Sequence, residues 1–415
     1  MDTRRSAQTG IHLAIFTGAI LTFTAGIAYL VLSPMGSEPA FAQEGKATPA
    51  AAATVPDYTV LGYNELGMHC MNQDFSEICI LPPFNTLRAQ VIDASGEEPR
   101  IVTQGITVKY SIPGNTTSSN KTNFWQYAPK LFGTTLSPNV GLTGNRLSGT
   151  MVPTGDNDWH ATGIPITPLT DSMHEDPFQL SKIVVQDSKG RNLVWTEAVV
   201  PVSWEINCNL CHNTPGISVA TDILRKHDKL HKTKLEQAKP VLCAGCHADP
   251  ALGTTGKSGV KPFSIAMHGS HASRMSKLSL TNTCYACHPG VKTECQRDVH
   301  LTKGITCVNC HGDMTAVANP HRQPWVTEPT CKQCHQKRKP NFDFEEPGKL
   351  FKDSRGHGGV HCAGCHGPQH ATGPAVTAPD NAQAILLQGH SGVLKDCTVC
   401  HSRKPDEPFF HSRDD

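Results

Sequence analysis

Beyond Leu32 the chain contains no hydrophobic run of the roughly 20 residues a helix needs to cross a bilayer, so at most one stretch of its 415 residues could span a membrane as a helix. It also has almost no net charge. Lys and Arg number 37 against 36 Asp and Glu, which leaves no overall positive field to attract nucleic acid. Aromatic residues make up only 6%, and four of the five Trp lie before residue 208. The C-terminal half therefore has few of the large side chains that normally build a core. What the chain does have is 17 Cys, in a sequence too long for a small disulfide scaffold.

Fourteen of the 17 fall into one pattern, Cys-x-x-Cys-His. Its copies, numbered first to seventh along the chain, are Cys208, Cys211, His212; Cys243, Cys246, His247; Cys284, Cys287, His288; Cys307, Cys310, His311; Cys331, Cys334, His335; Cys362, Cys365, His366; and Cys397, Cys400, His401. Two thiols three positions apart on one turn can form thioethers to both vinyl groups of a haem while the adjacent His reaches the iron. A lone Cys-x-x-Cys reads as well as a disulfide, a redox pair or half a zinc site. None of these demands a His after the second Cys seven times out of seven. The pattern therefore predicts seven covalently bound haems c, with the fourteen Cys as attachment points and the seven His as proximal iron ligands.

Arg4 and Arg5 precede an uncharged stretch from Ile11 to Leu32, and Ala40, Phe41 and Ala42 follow in a small-x-small cleavage pattern. Residues 1–42 read as an export signal. Residues 11–32 are also long enough to remain as a membrane anchor. Either outcome places the protein outside the cytoplasm: in the periplasm, anchored facing it, or at the cell surface. Residues 43–56, mostly Ala, Gly, Thr and Pro, read as a flexible linker.

Residues 57–207 contain no haem motif. Short apolar alternations at 106–112, 182–186 and 193–204 are separated by Gly, Pro, Asn and Asp turns, which predicts a β-rich domain of sandwich type. Residues 208–415 offer about 30 residues per motif, too few to bury a conventional core around each. This region is expected to be short helices and long loops packed on haem. The shortest gaps link the third, fourth and fifth motifs, whose haems should be neighbours. Charge divides unevenly: 12 Lys and Arg against 18 Asp and Glu before residue 208, and 25 against 18 after it. Fourteen haem propionates would absorb the positive excess internally.

The C-terminal half, by these seven motifs, resembles the multihaem c-type cytochromes of anaerobic and metal-respiring bacteria. The segment Tyr63 to Cys79, with Gly67, Met68, His69 and Cys70, together with Leu81 to Asn85, is similar to a non-haem N-terminal domain associated with such cytochromes. The resemblance implies irons with two His ligands, hence about seven distal His beyond the proximal ones. Eleven candidates follow Cys208. His370 is favoured by its Cys-x-x-Cys-His-Gly-x-x-His run; His227, His268, His321, His390 and His411 come next, then His231, His271, His300, His357 and His361. Met267 and Met314 read as packing residues rather than ligands. Two His ligands imply low-potential carriers.

The expected function is extracytoplasmic electron transfer between redox-protein partners in anaerobic respiration, with no catalytic residue. A multihaem reductase or dehydrogenase acting on a small nitrogen or sulfur compound would need one open iron position. No motif replaces its His with Lys to mark one. A third expectation is a docking subunit that assembles with other cytochromes. Cys70 and Cys79 could form a disulfide, and Cys295 reads as a buried thiol. His69, His160 and His174 could form a metal site with Asp74 or Asp158, although their spacing does not demand one.

Overall fold

The structure is a computed structural model of the chain and describes residues 57–278, 282–406 and 411–413. The leader, its candidate anchor 11–32 and the linker 43–56 lie outside the described residues. Among the described residues no helix is long and apolar enough to cross a membrane.

Thirteen strands run through the first half and slightly beyond. They are β1 (Tyr58–Asn64), β2 (His69–Cys70), β3 (Ile78–Cys79), β4 (Thr86–Asp93), β5 (Arg100–Ile101), β6 (Thr107–Ser111), β7 (Ser148–Thr150), β8 (Val152–Pro153), β9 (Trp159–Thr162), β10 (Leu180–Gln186), β11 (Asn192–Val199), β12 (Val202–Ser203) and β13 (Val241–Leu242). One antiparallel sheet has the order β1-β4-β9-β8, with β5 added on β4, and the other β11-β10-β6-β7. In β10 the buried Ser181, Ile183 and Val185 alternate with more exposed neighbours, the period-two pattern of a strand with one covered face. Val60, Leu87, Ala89 and Val91 meet Val108, Tyr110, Ile183 and Val185 in one core, closed at the side by Phe124, Ala128 and Leu131 of α1 (Phe124–Phe132). Gly62 sits where a Cβ would approach Ile183 Cδ1 to 2.6 Å, so the closeness of the sheets there requires glycine.

β4 departs from alternation, because all eight of its residues are buried. Its second face is covered by the C-terminal half. Arg88 donates to Asp353 at 3.0 Å, Gln90 accepts from the His361 backbone N–H at 2.7 Å, and Leu61 and Ile92 pack with Leu394 and Val399. A parallel two-residue pairing of β13 with β3 adds a backbone link across the expected boundary at residue 207. Residues Thr54–Asp415 accordingly form one compact unit.

Among the described residues after Asn207 only two helices reach eight residues, α2 (Val219–His231) and α3 (Phe263–Met275). Of the 41 buried apolar side chains among the described residues, 31 precede Cys208 and ten follow it; five of those ten are alanine. The β-rich first half has an ordinary side-chain core, and the second half of short helices and loops has little of one.

Candidate cofactor sites

Each motif is a single helical turn with its own local stop and start. In the fourth and fifth, Thr306 with Asn309 and Thr330 with Gln333 make reciprocal capping boxes. In the third and seventh, Asn282 and Asp396 accept the backbone N–H of Cys284 and Thr398. A turn places the two thiols of one motif on one side and the His just beyond them. The buried thiols are held in the protonated form: burial pushes Cys208 and Cys365 to about 11 and Cys243, Cys362 and Cys400 to about 12. No group of three His, Cys, Asp or Glu able to hold a metal ion occurs among the described residues.

Every motif imidazole instead faces one other imidazole. The ring-centroid separations are 6.3 Å for His212 and His271, 6.4 Å for His247 and His227, and 6.1 Å for His288 and His268. They are 6.2 Å for His311 and His370, 6.1 Å for His335 and His300, 5.9 Å for His366 and His411, and 6.1 Å for His401 and His357. A metal–imidazole nitrogen bond is about 2 Å, so two rings bound on opposite sides of one ion stand with centroids roughly 6 Å apart. All seven pairs fit an iron held between them.

Hydrogen bonds orient several of these rings for that role. Nδ1 of His247, His268 and His271 donates to the carbonyls of Lys261, Ser264 and Met267 at 2.7, 2.7 and 2.8 Å. A ring whose Nδ1 carries the proton presents an unprotonated Nε2, the form that ligates. His300 Nδ1 meets Asp298 at 2.9 Å, and His212 Nδ1 faces Asp222 at 3.4 Å. Burial lowers His288, His366 and His370 to about 4, which keeps them neutral at physiological pH.

Four of the eleven distal candidates, His231, His321, His361 and His390, face no motif ring among the described residues. His321 lines a cavity beside Cys310 and His311, but His370 is the ring opposite His311. His390 is exposed and turns Nδ1 to the Ser391 carbonyl. His231 is exposed at a helix end and rests on His227 at 4.8 Å. His361 is fully buried with Nε2 bonded to the Asp156 carbonyl, so the nitrogen that would ligate is engaged. Sequence ranking placed His271, His300 and His357 second, yet each faces a motif ring. The one local signal was the spacing of His268 and His271, three apart and hence on one face of a helix.

The remaining expectations are also adjusted. Cys70 and Cys79 are free thiols, because β2 pairs with β12 while β3 pairs with β13, which directs Cys79 towards Cys243. Cys295 lies near Cys70. His69 Nε2 is bonded to the Pro82 carbonyl and His160 to Asp158, so neither joins a metal cluster.

No protein-family model matches the chain, and no curated protein does. Among solved structures, the crystal structure of MtrC from Shewanella baltica OS185 aligns at 14% identity with a TM-score of 0.15, over 74% of this chain and 43% of that one. This chain thus spans less than half of that neighbour's length.

Proposed function

We propose that this protein is an extracytoplasmic electron carrier whose C-terminal half binds seven haems c through its fourteen motif Cys. The reading assigns the iron ligands as His212 with His271, His247 with His227, His288 with His268, His311 with His370, His335 with His300, His366 with His411, and His401 with His357. The observation that carries it is the one-to-one matching of seven motif imidazoles with seven others, all at 5.9–6.4 Å. When bound, the haems would supply one-electron redox chemistry at low potential, as expected of two His ligands rather than a Met. The chain's own task is to orient the imidazoles, hold them neutral and close both axial positions. A reductase or dehydrogenase requires an open position, and no pair leaves its motif His without a facing ring. The partners would be a redox-protein donor and acceptor, reached in anaerobic respiration.

Intact mass of the processed protein should equal the polypeptide plus seven haems; a mass with fewer than seven would end this reading. Electron paramagnetic resonance of the oxidised protein should contain only low-spin ferric signals, and one stoichiometric high-spin haem would favour an enzyme instead.

The ligand assignment is tested separately. His370→Ala should retain seven haems, because attachment depends on Cys and the motif His, but convert one haem to a high-spin or water-ligated form. His321→Ala should leave the spectrum as it is. The opposite pattern would return His321 to the ligand set and remove His370.

A further inference from the structure

The elements that carry the seven His pairs also tie particular motifs to one another, and the ties do not follow the sequence. α2 joins the first motif to the second. Its Asp222 faces His212 at 3.4 Å, and five residues on, about 7.5 Å along the axis, its His227 faces His247. α3 joins the first motif to the third. Its His271 faces His212 and its His268, one turn away, faces His288. Asn207, immediately before Cys208, also donates to the Tyr285 carbonyl inside the third motif at 3.1 Å.

From the third motif onward the ties run in chain order, except that His370, four residues after His366 of the sixth motif, faces His311 of the fourth. The Asn282 amide that caps the third motif lies 3.7 Å from Cys307 Sγ of the fourth. Cys310 and His311 of the fourth line one cavity with Gln333 of the fifth. The Glu345 carboxylate, between the fifth and sixth motifs, accepts from the Cys331 backbone N–H of the fifth. Phe342, just after the fifth, stacks at 4.3 Å on His411, whose ring faces His366 of the sixth. Finally, Leu394 N–H donates to the Cys365 carbonyl at 3.0 Å, and Cys365 shares an apolar cluster with Val399 and Cys400 of the seventh.

We infer that the seven haems stand in a single file in the order second, first, third, fourth, fifth, sixth, seventh, so that the second and seventh sites are its two ends. The inference rests on the haem reading above and adds to it where electrons enter and leave. The first haem, attached earliest in the chain, is an interior member of the file. The second is reached from it through α2, and its other neighbour is protein: β13 leads directly into Cys243 and pairs with β3 of the β-rich half.

The test is to locate the irons in crystals of the haem-loaded, full-length protein from anomalous differences at the iron absorption edge. The expected map has seven iron peaks. The iron held by His212 and His271 should have those of His247 and His288 as its two nearest neighbours. The irons of His247 and His401 should each have a single near neighbour. An iron at His247 closer to that of His288 than to that of His212 would overturn the order, as would a His401 iron adjoining any site other than the sixth. Fewer than seven peaks, or other axial ligands, would overturn the haem reading itself and this inference with it, so the two failures are distinguishable in one map.

Discussion

In cells unable to attach haem c, the full-length protein should survive limited proteolysis only as a β-rich fragment spanning about residues 57–207. The reason is the division of buried apolar side chains, 31 before Cys208 and ten after. Ordering the backbone costs roughly 1–2 kcal/mol per residue, and alanine, which supplies half of the later set, buries little area to offset it. The sandwich has Phe75, Phe124, Leu87, Ile164, Ile166 and Ile183 fully enclosed. On the proposed haem reading, the second half would depend on macrocycles for its apolar area and on iron to join distant segments. Circular dichroism of the trimmed product should be that of a sheet. A haem-free C-terminal half that resisted protease and unfolded cooperatively would refute this account, and so would digestion of the whole chain at one rate.

Arg297→Ala should have an effect out of proportion to one side chain. The Arg297 guanidinium meets both carboxylate oxygens of Asp380 at 2.6 and 2.9 Å, and the two side chains are 0% and 1% exposed. Its backbone N–H donates to the His370 carbonyl at 2.8 Å, its carbonyl accepts from Val376 at 2.7 Å, and its guanidinium lies over the Phe178 ring at 5.1 Å. The Arg297–Asp380 pair thus anchors the backbone segment that holds the His370 carbonyl, so Arg297 acts on His370 only through that segment. Truncation leaves Asp380 buried without its cation, which costs about 3–5 kcal/mol. The expected readouts are a lowered unfolding midpoint and conversion of the haem at His311 to high spin, with all seven haems still attached. Replacing both partners by apolar residues, Arg297→Met with Asp380→Leu, should recover most of the stability, because no unpaired charge remains. Unaltered spin states and an unshifted transition in Arg297→Ala would show that the pair does not position His370.

The motifs were fully legible in the sequence because covalent attachment demands a fixed local spacing. Their facing rings were legible only in part. His268 and His271 carry a local signature, being three apart on one helix, whereas His300 and His335, or His357 and His401, meet because loops fold back over long separations. His370 was singled out for its position four residues after His366, yet the structure sets it opposite His311. His321 and His390 sit in loops of the same composition, and nothing local distinguishes them. The strands at 107–111 and 180–186 followed from alternation, whereas β4 could not: Arg88 and Gln90 are buried there because the C-terminal half covers them. Polarity in a strand predicts solvent unless another part of the chain arrives.

The backbone pairing of β3 with β13 has a consequence for biosynthesis. Domains fold as units in the order they are made, and at about 5–20 residues per second the 35 residues from Cys208 through Leu242 take roughly 2–7 s to follow. The sandwich has that interval to complete its own core. Ile78 and Cys79 then offer an already ordered edge to Val241 and Leu242, the two residues that enter the second motif. The nascent second half thus meets a rigid template at its second attachment site, while the segments that supply His370 and His411 are still unmade.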